Sequence, residues 1–135
     1  MPEYSPFPDS EAVVATAMAA ANVCGRRIHS SIPATPTVPY AIVRRLGGVP
    51  VERHRIDQAR IQIDVYGNTK AEARDQADAA RLAVHALEGT TSDVWNAAIT
   101  AVDDEVGLTF LPDPDTNRDR YTFSVIVTLH STLRS

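Results

Sequence analysis

Hydrophobic and polar positions alternate along this chain in two rhythms. The change between them is sharpest at residues 60–87, RIQIDVYGNTKAEARDQADAARLAVHAL. Ile61, Ile63 and Val65 alternate with Arg60, Gln62, Asp64 and Tyr66. That period predicts a strand with one face buried and one face wet. Gly67 and Asn68 end it, because both tolerate the positive φ of a tight turn. Thr69 and Glu72 have capping-box spacing: the Thr hydroxyl accepts from the Glu72 amide while the carboxylate reaches back to the Thr69 amide. A helix is therefore predicted from about residue 70. Ala73, Ala77, Ala80, Val84 and Leu87 fall on one face of it, with Arg74, Asp75, Asp78 and Arg81 off that stripe. Gly89 suits the left-handed residue beyond the helix end. A stripe made mostly of Ala lets the helix lie close against a sheet.

The remaining chain reads in the same way. Residues 1–8, with Pro2, Pro6 and Pro8, predict an extended arm. DSEAVVATAMAAANVC predicts a first helix, capped by Asp9 or Ser10, with Val14, Ala17, Met18 and Ala21 as its stripe and Gly25 at its end. RRIHSSIP predicts a short strand leading into a loop stiffened by Pro33, Pro36 and Pro39. YAIVRRL predicts a second strand, and Gly47-Gly48 a hairpin turn after it. Pro50 and the run ERHR then make 49–55 a projecting hairpin tip. NAAITAVDDEV predicts another strand, LPDPDTNRD a loop, and RYTFSVIVTLHS the last strand. In that strand Tyr121, Phe123, Val125, Val127 and Leu129 share one face, opposite Thr122, Ser124, Thr128 and His130. The order α-β-β-β-α-β-β predicts an α+β domain spanning residues 1–135: a single mostly antiparallel sheet with two helices packed on one face. Val65, Ala73, Ala80, Val84, Phe123, Val125 and Val127 are expected in its core.

Composition narrows the class. With 135 residues and 44% hydrophobic content the chain can bury one core. It has no apolar run long enough to span a membrane. MPEYSPFPDS lacks the basic start and apolar centre of a signal peptide. The lone Cys24 forms no internal disulfide, fits a reducing compartment, and is expected as a small core residue near a helix end. A net charge of −4 argues against a general nucleic-acid binder. The charge is unevenly placed. Residues 41–62 hold Arg44, Arg45, Arg53, Arg55 and Arg60 against Glu52 and Asp57, whereas residues 64–119 hold twelve acids against Lys70, Arg74, Arg81 and Arg118. Two readings stay open: two solvated faces, or two complementary surfaces for a partner or a second copy.

Candidate chemistry is sparse. His29, His54, His85 and His130 have no metal-ligand spacing among themselves or with Cys24. Asp103, Asp104 and Glu105 are adjacent on a strand, so they point to alternating sides, which reads as a solvated strand end rather than a cation site. Gly47-Gly48 does not open a helix as a phosphate loop would, and no nucleophile elbow occurs. Aromatic residues, at 6%, do not interleave with the basic segment. No catalytic residue, cofactor or metal is expected.

Four segments, in order, resemble the tail terminator (tail completion) proteins of long non-contractile-tailed bacteriophages and prophages. They are the N-terminal helix followed by a strand ending in SSIP; YAIVRRLGG; ARIQIDVYGNTKAEARDQADAARLAVHAL; and LTFLPDPDTNRDRYTFSVIVTLHS. The likeness covers nearly the whole chain past residue 9, and its motifs are structural rather than catalytic. The first helix departs from the family pattern in being richer in Ala and poorer in Leu. The resemblance implies a structural virion protein that forms a ring, a hexamer, at the head-proximal end of the tail tube. Such a ring stops tube polymerisation and joins the head connector. Its implied partners are further copies of itself, the tail tube protein, the head–tail connector and the tape measure protein. DNA passes through the channel without specific binding, and no membrane is involved. Assembly in the host cytoplasm and residence in the virion tail follow. Arg44, Arg45, Arg53 and Arg55 are candidate subunit contacts against Asp113 and Asp115, while Asp103, Asp104 and Glu105 are candidates either for that contact or for lining the channel. The alternatives are another neck or connector ring, the tail tube subunit itself, a small ligand-binding α+β domain needing a concave polar pocket, and a nucleic-acid-binding regulator needing a dominant basic face.

Overall fold

The computed structural model of the chain describes residues 9–52, 56–92 and 94–131, and nothing of the side chains of residues 49–52. The expected arm at 1–8 and residues 53–55 of the expected tip lie outside the described residues, while 49–52 of that tip are strand paired with β3 instead. The helices are α1 (Ser10–Ala20) and α2 (Lys70–His85), with a 3₁₀ segment at Val23–Arg26. The strands are β1 (Ile28–His29), β2 (Tyr40–Glu52), β3 (Ile56–Gly67), β4 (Thr90–Ser92), β5 (Ala97–Phe110) and β6 (Asp119–Ser131). They form one sheet in the order β1-β2-β3-β6-β5-β4, in which only β1 and β2 run parallel. The α+β class, the antiparallel sheet and the two helices are as the sequence predicts. The three-residue β4 is an addition, since TTS carries too few positions for a periodicity to show.

Strand alternation assigns each side chain to a face. Ala41, Val43, Ala59, Ile61, Ile63, Val65, Phe123, Val125, Val127 and Leu129 meet the helices in one core. Ala73, Ala77, Ala80 and Val84 of α2 are fully buried there. All seven residues expected in the core are in it. Gly67 explains the Ala stripe from the strand side: a Cβ there would stand 2.6 Å from the Ala73 amide nitrogen. The helix begins too close to the strand end for any larger residue. On the opposite face Tyr40, Ile42 and Tyr66 form a small second cluster, with the two Tyr rings stacked at 4.6 Å.

Four local expectations need correction. Gly47-Gly48 is not the hairpin turn, because β2 runs through it to Glu52. The register slips between Arg45 and Gly47, opposite Ile61 and Arg60, so the glycines accommodate a β-bulge. Gly48 has φ +113, and a Cβ on it would overlap the Gln58 carbonyl oxygen at 1.9 Å. Positive φ marks bulges as well as turns, which is why the pair misleads. Second, Thr69 Oγ1 does accept from the Glu72 amide at 3.1 Å, but the Glu72 carboxylate bonds the amide of Asn68, not of Thr69, at 2.9 Å. Third, α1 ends at Ala20, before Asn22 at φ 58, rather than at Gly25, because Asn also tolerates the left-handed conformation. Fourth, its buried residues are Ser10, Val13, Val14 and Met18, while Ala21 is exposed. Asp9, of the two candidate caps, accepts from the Ala12 amide at 3.1 Å.

Cys24 is buried as expected. Its amide donates to Gln76 Oε1 at 2.7 Å, tying the 3₁₀ segment to α2. Burial pushes its thiol up to about 12, so almost no thiolate is present at neutral pH.

Candidate assembly surface

Neighbouring residues of a strand point to opposite faces, and this separates each run of like charge. Arg45 faces the helix side, where its guanidinium grips Asp57 with two bonds of 2.6 and 2.8 Å while Nε donates to the Gly47 carbonyl. Asp57 is only 2% exposed. The Arg45 amide donates to Glu11 at 2.7 Å, which joins the first turn of α1 to the outer edge of β2. Arg44 faces the other way and donates to the buried Asp64 at 2.7 Å, with Gln62 donating to the same carboxylate at 3.0 Å.

The three acids of β5 divide in the same manner. Asp104 turns to the helix side, where Arg81 donates to it at 2.5 and 3.2 Å and His85 Nε2 lies 2.8 Å away. Those bonds, Arg81 first and His85 second, hold the Asp104 carboxyl below the usual carboxylate range. Glu105 turns to the open face, accepting from Arg60 at 2.8 and 3.1 Å and from the Ser124 hydroxyl at 3.0 Å. The Arg60 bonds lower its pKa in turn. Asp103 is exposed, with no hydrogen bond or ion pair of its carboxylate among the described residues.

Asp113 and Asp115 belong to the loop between β5 and β6. The Asp113 carboxylate is 7% exposed and accepts from the Asp115 amide at 2.9 Å. That backbone bond, with further bonds from Thr116, lowers its pKa. Asp113 therefore shapes its own loop, whereas the Asp115 side chain is exposed. Arg53 and Arg55 lie outside the described residues.

The structure thus joins Arg44, Arg45, Asp104 and Glu105 to partners within the chain: Asp64, Asp57, Arg81 with His85, and Arg60. None of these partners is singled out by sequence, since each pair is made across strands or between strand and helix, and only register aligns them. Among the described residues no group of three or more His, Cys, Asp or Glu gathers as a metal site would. The surface depressions are small, such as one of about 250 Å³ over Gly48, Gln58, Arg60 and Ile126 on the open face.

What the sheet does present, among the described residues, is two edges bare over much of their length. β1 covers β2 only at Ala41 and Ile42, and β4 covers β5 only at Ala97–Ile99. Past β4 the Glu88 carboxylate accepts from the Val102 amide at 3.1 Å. From Asp103 to Phe110 no strand lies along the outer edge of β5 among the described residues.

A two-layer α+β domain with internally paired charges and two open sheet edges is the class of protein these features define. A family model described as tail completion protein gp17 matches residues 11–128, and the chain belongs to that family. It is a structural protein of the phage tail. A chain from a solved structure described as the virion of a native gene transfer agent particle is similar to it, with TM-score 0.47 and 15% identity over 90% of this chain and 87% of that one. No curated protein sequence matches.

Proposed function

We propose that the protein closes the head-proximal end of the tail as a ring of identical copies, a hexamer. The ring stops the tube from lengthening and presents the surface that joins the head connector. Family membership over residues 11–128 carries this reading. The geometry supports it: a head-to-tail ring needs two different patches on each subunit, and the two ends of this sheet differ. The partners are then the tube protein, the connector and the tape measure protein, with DNA passing through the channel without specific contacts. Residence in the virion tail follows assembly in the host cytoplasm.

The proposed charge contact narrows once the internal pairs are set aside. Arg53 and Arg55 of the expected hairpin tip meet Asp103 of the next copy, while Arg44 and Arg45 act through the strand they brace. Arg53→Glu with Arg55→Glu is expected to give folded subunits with weakened ring formation, and added salt to weaken wild-type rings.

The decisive experiment grows tail tubes from purified tube protein with and without this protein and images them by negative-stain microscopy. Tubes grown with it are expected to carry a ring at one end, to stop lengthening, and to be the ones that join filled heads. Long tubes made by the protein alone would identify a tube subunit instead. Tubes that lengthen unchanged and uncapped in its presence would overturn the reading.

A further inference from the structure

We infer that the ring closes by sheet extension: the outer edge of β5 of one copy takes the outer edge of β2 of the next. This rests on the ring reading and specifies its interface. The first observation is the length of the bare edges. Asp103–Phe110 on β5 and residues 46–52 on β2 have no strand on their outer side among the described residues. They are eight and seven residues long. An open edge presents unpaired amides and carbonyls, and folded proteins guard long ones with charge, Pro or bulges; on β2 Pro50 has no amide N–H, so 46–49 and 51–52 are left to donate.

The guard on β5 is incomplete. Its acids lie at 103–105, and two of them are drawn onto the sheet faces by Arg81, His85 and Arg60. The next six residues, VGLTFL at 106–111, carry no charge. Val106 and Leu111 are each 50% exposed, and on β2 Leu46 is 48% exposed. The bulges bend the edges without pairing them: register slips occur between Asp104 and Val106 and between Val106 and Thr109 on β5, and between Arg45 and Gly47 on β2. Bulges add twist and bend, which a sheet closing on itself requires.

Strand direction supplies the second, independent observation. β2–β3, β3–β6 and β6–β5 are each antiparallel. β2 and β5 therefore run in opposite directions, and an even number of long strands separates one bare edge from the other. A copy rotated about an axis along the strands brings its β2 beside β5 antiparallel, so the alternation continues across the junction without a break. The junction is heterologous, as a closed ring demands, and each copy offers one of each edge.

Two measurements on the full-length protein test this. Val106→Lys with Thr109→Lys changes two exposed edge residues, so the fold and its circular dichroism are expected to stay as in the wild type while ring yield falls at least tenfold by mass photometry. In parallel, Leu46→Cys is combined with Val106→Cys or with Thr109→Cys and oxidised at assembly concentration. A ladder of disulfide-linked oligomers that stops at the ring size is expected from at least one pair, and none from Leu82→Cys with Thr109→Cys, because Leu82 stands exposed on α2 and not on a strand edge. Rings at wild-type yield in the double Lys variant, with no ladder from any edge pair, would overturn the edge pairing and leave the ring. A wild type that forms no ring alone or on tail tubes would remove the ring reading itself, and this inference with it.

Discussion

β3 and β5 lie two places apart in one sheet, with similar lengths and similar apolar content, yet they have opposite fates. β3 has a long strand on both sides and a helix above it. Even its open-face residues Asp64 and Tyr66 are buried. β5 has a long strand on one side only, and Asp103–Gly107 are all exposed. The difference lies less in the residues than in their neighbours: a strand becomes core when both of its edges and one face are covered. The comparison also separates two uses of charge. On β3 an acid is buried with an arginine to hold the sheet together, whereas on β5 acids are tied down at a surface.

The largest effect is expected at the centre. Asp57→Ala leaves the Arg45 fork without its buried partner and should cost about 3 kcal/mol by urea denaturation, at the lower end for such pairs because Arg45 keeps some access to water. An unchanged midpoint would show that Arg45 is solvated elsewhere. Gly67→Ala and Ala80→Leu come next, each expected to cost about 1–3 kcal/mol by overpacking between α2 and the sheet. If Ala80→Leu melted at the wild-type temperature, the helix would not lie on the sheet as described. Thr69→Ala removes the cap of α2 and should cost about 1 kcal/mol.

Smaller changes belong to β5. Asp104→Asn should lower stability only slightly, since Arg81 and His85 are surface partners. The pH dependence has a definite sign. Asp104, Glu105 and Asp113 have lowered folded-state pKa values. Their contribution is present in full above the ordinary carboxylate range and is lost as pH falls through the lowered values. Stability should therefore decline from about pH 5 downward, and Asp113→Asn should flatten that decline. Val106→Lys should move the monomer's stability by no more than about 0.5 kcal/mol. Hydrogen exchange sharpens the contrast: β3 amides should exchange slowest in the monomer, and outer-edge amides of 103–110 should become protected only on assembly. At the smallest scale, Cys24 should resist alkylation at pH 8 until the chain unfolds.

Periodicity by itself determined the α+β class, the β3–α2 unit and the core. Ile61, Ile63, Val65 and the Ala stripe declare their faces locally, and the burial of Val125 or Ala80 needs no knowledge of what lies opposite. Local rules were equally sufficient for the Thr69 cap and too coarse for its reciprocal bond to Asn68. What only the tertiary structure decided is everything that depends on register. Gly47-Gly48 became a bulge because β2 found partners beyond it. The runs Arg44-Arg45 and Asp104-Glu105, read along the chain, looked like two charged patches. Folded, each run is split between the two faces of the sheet, and its members meet counterions some 12 to 45 residues away. An ion pair across a sheet depends on which residues stand opposite, and a bare strand edge depends on where its neighbour stops. Neither is written in the order of residues along one strand, because both are properties of pairs of segments.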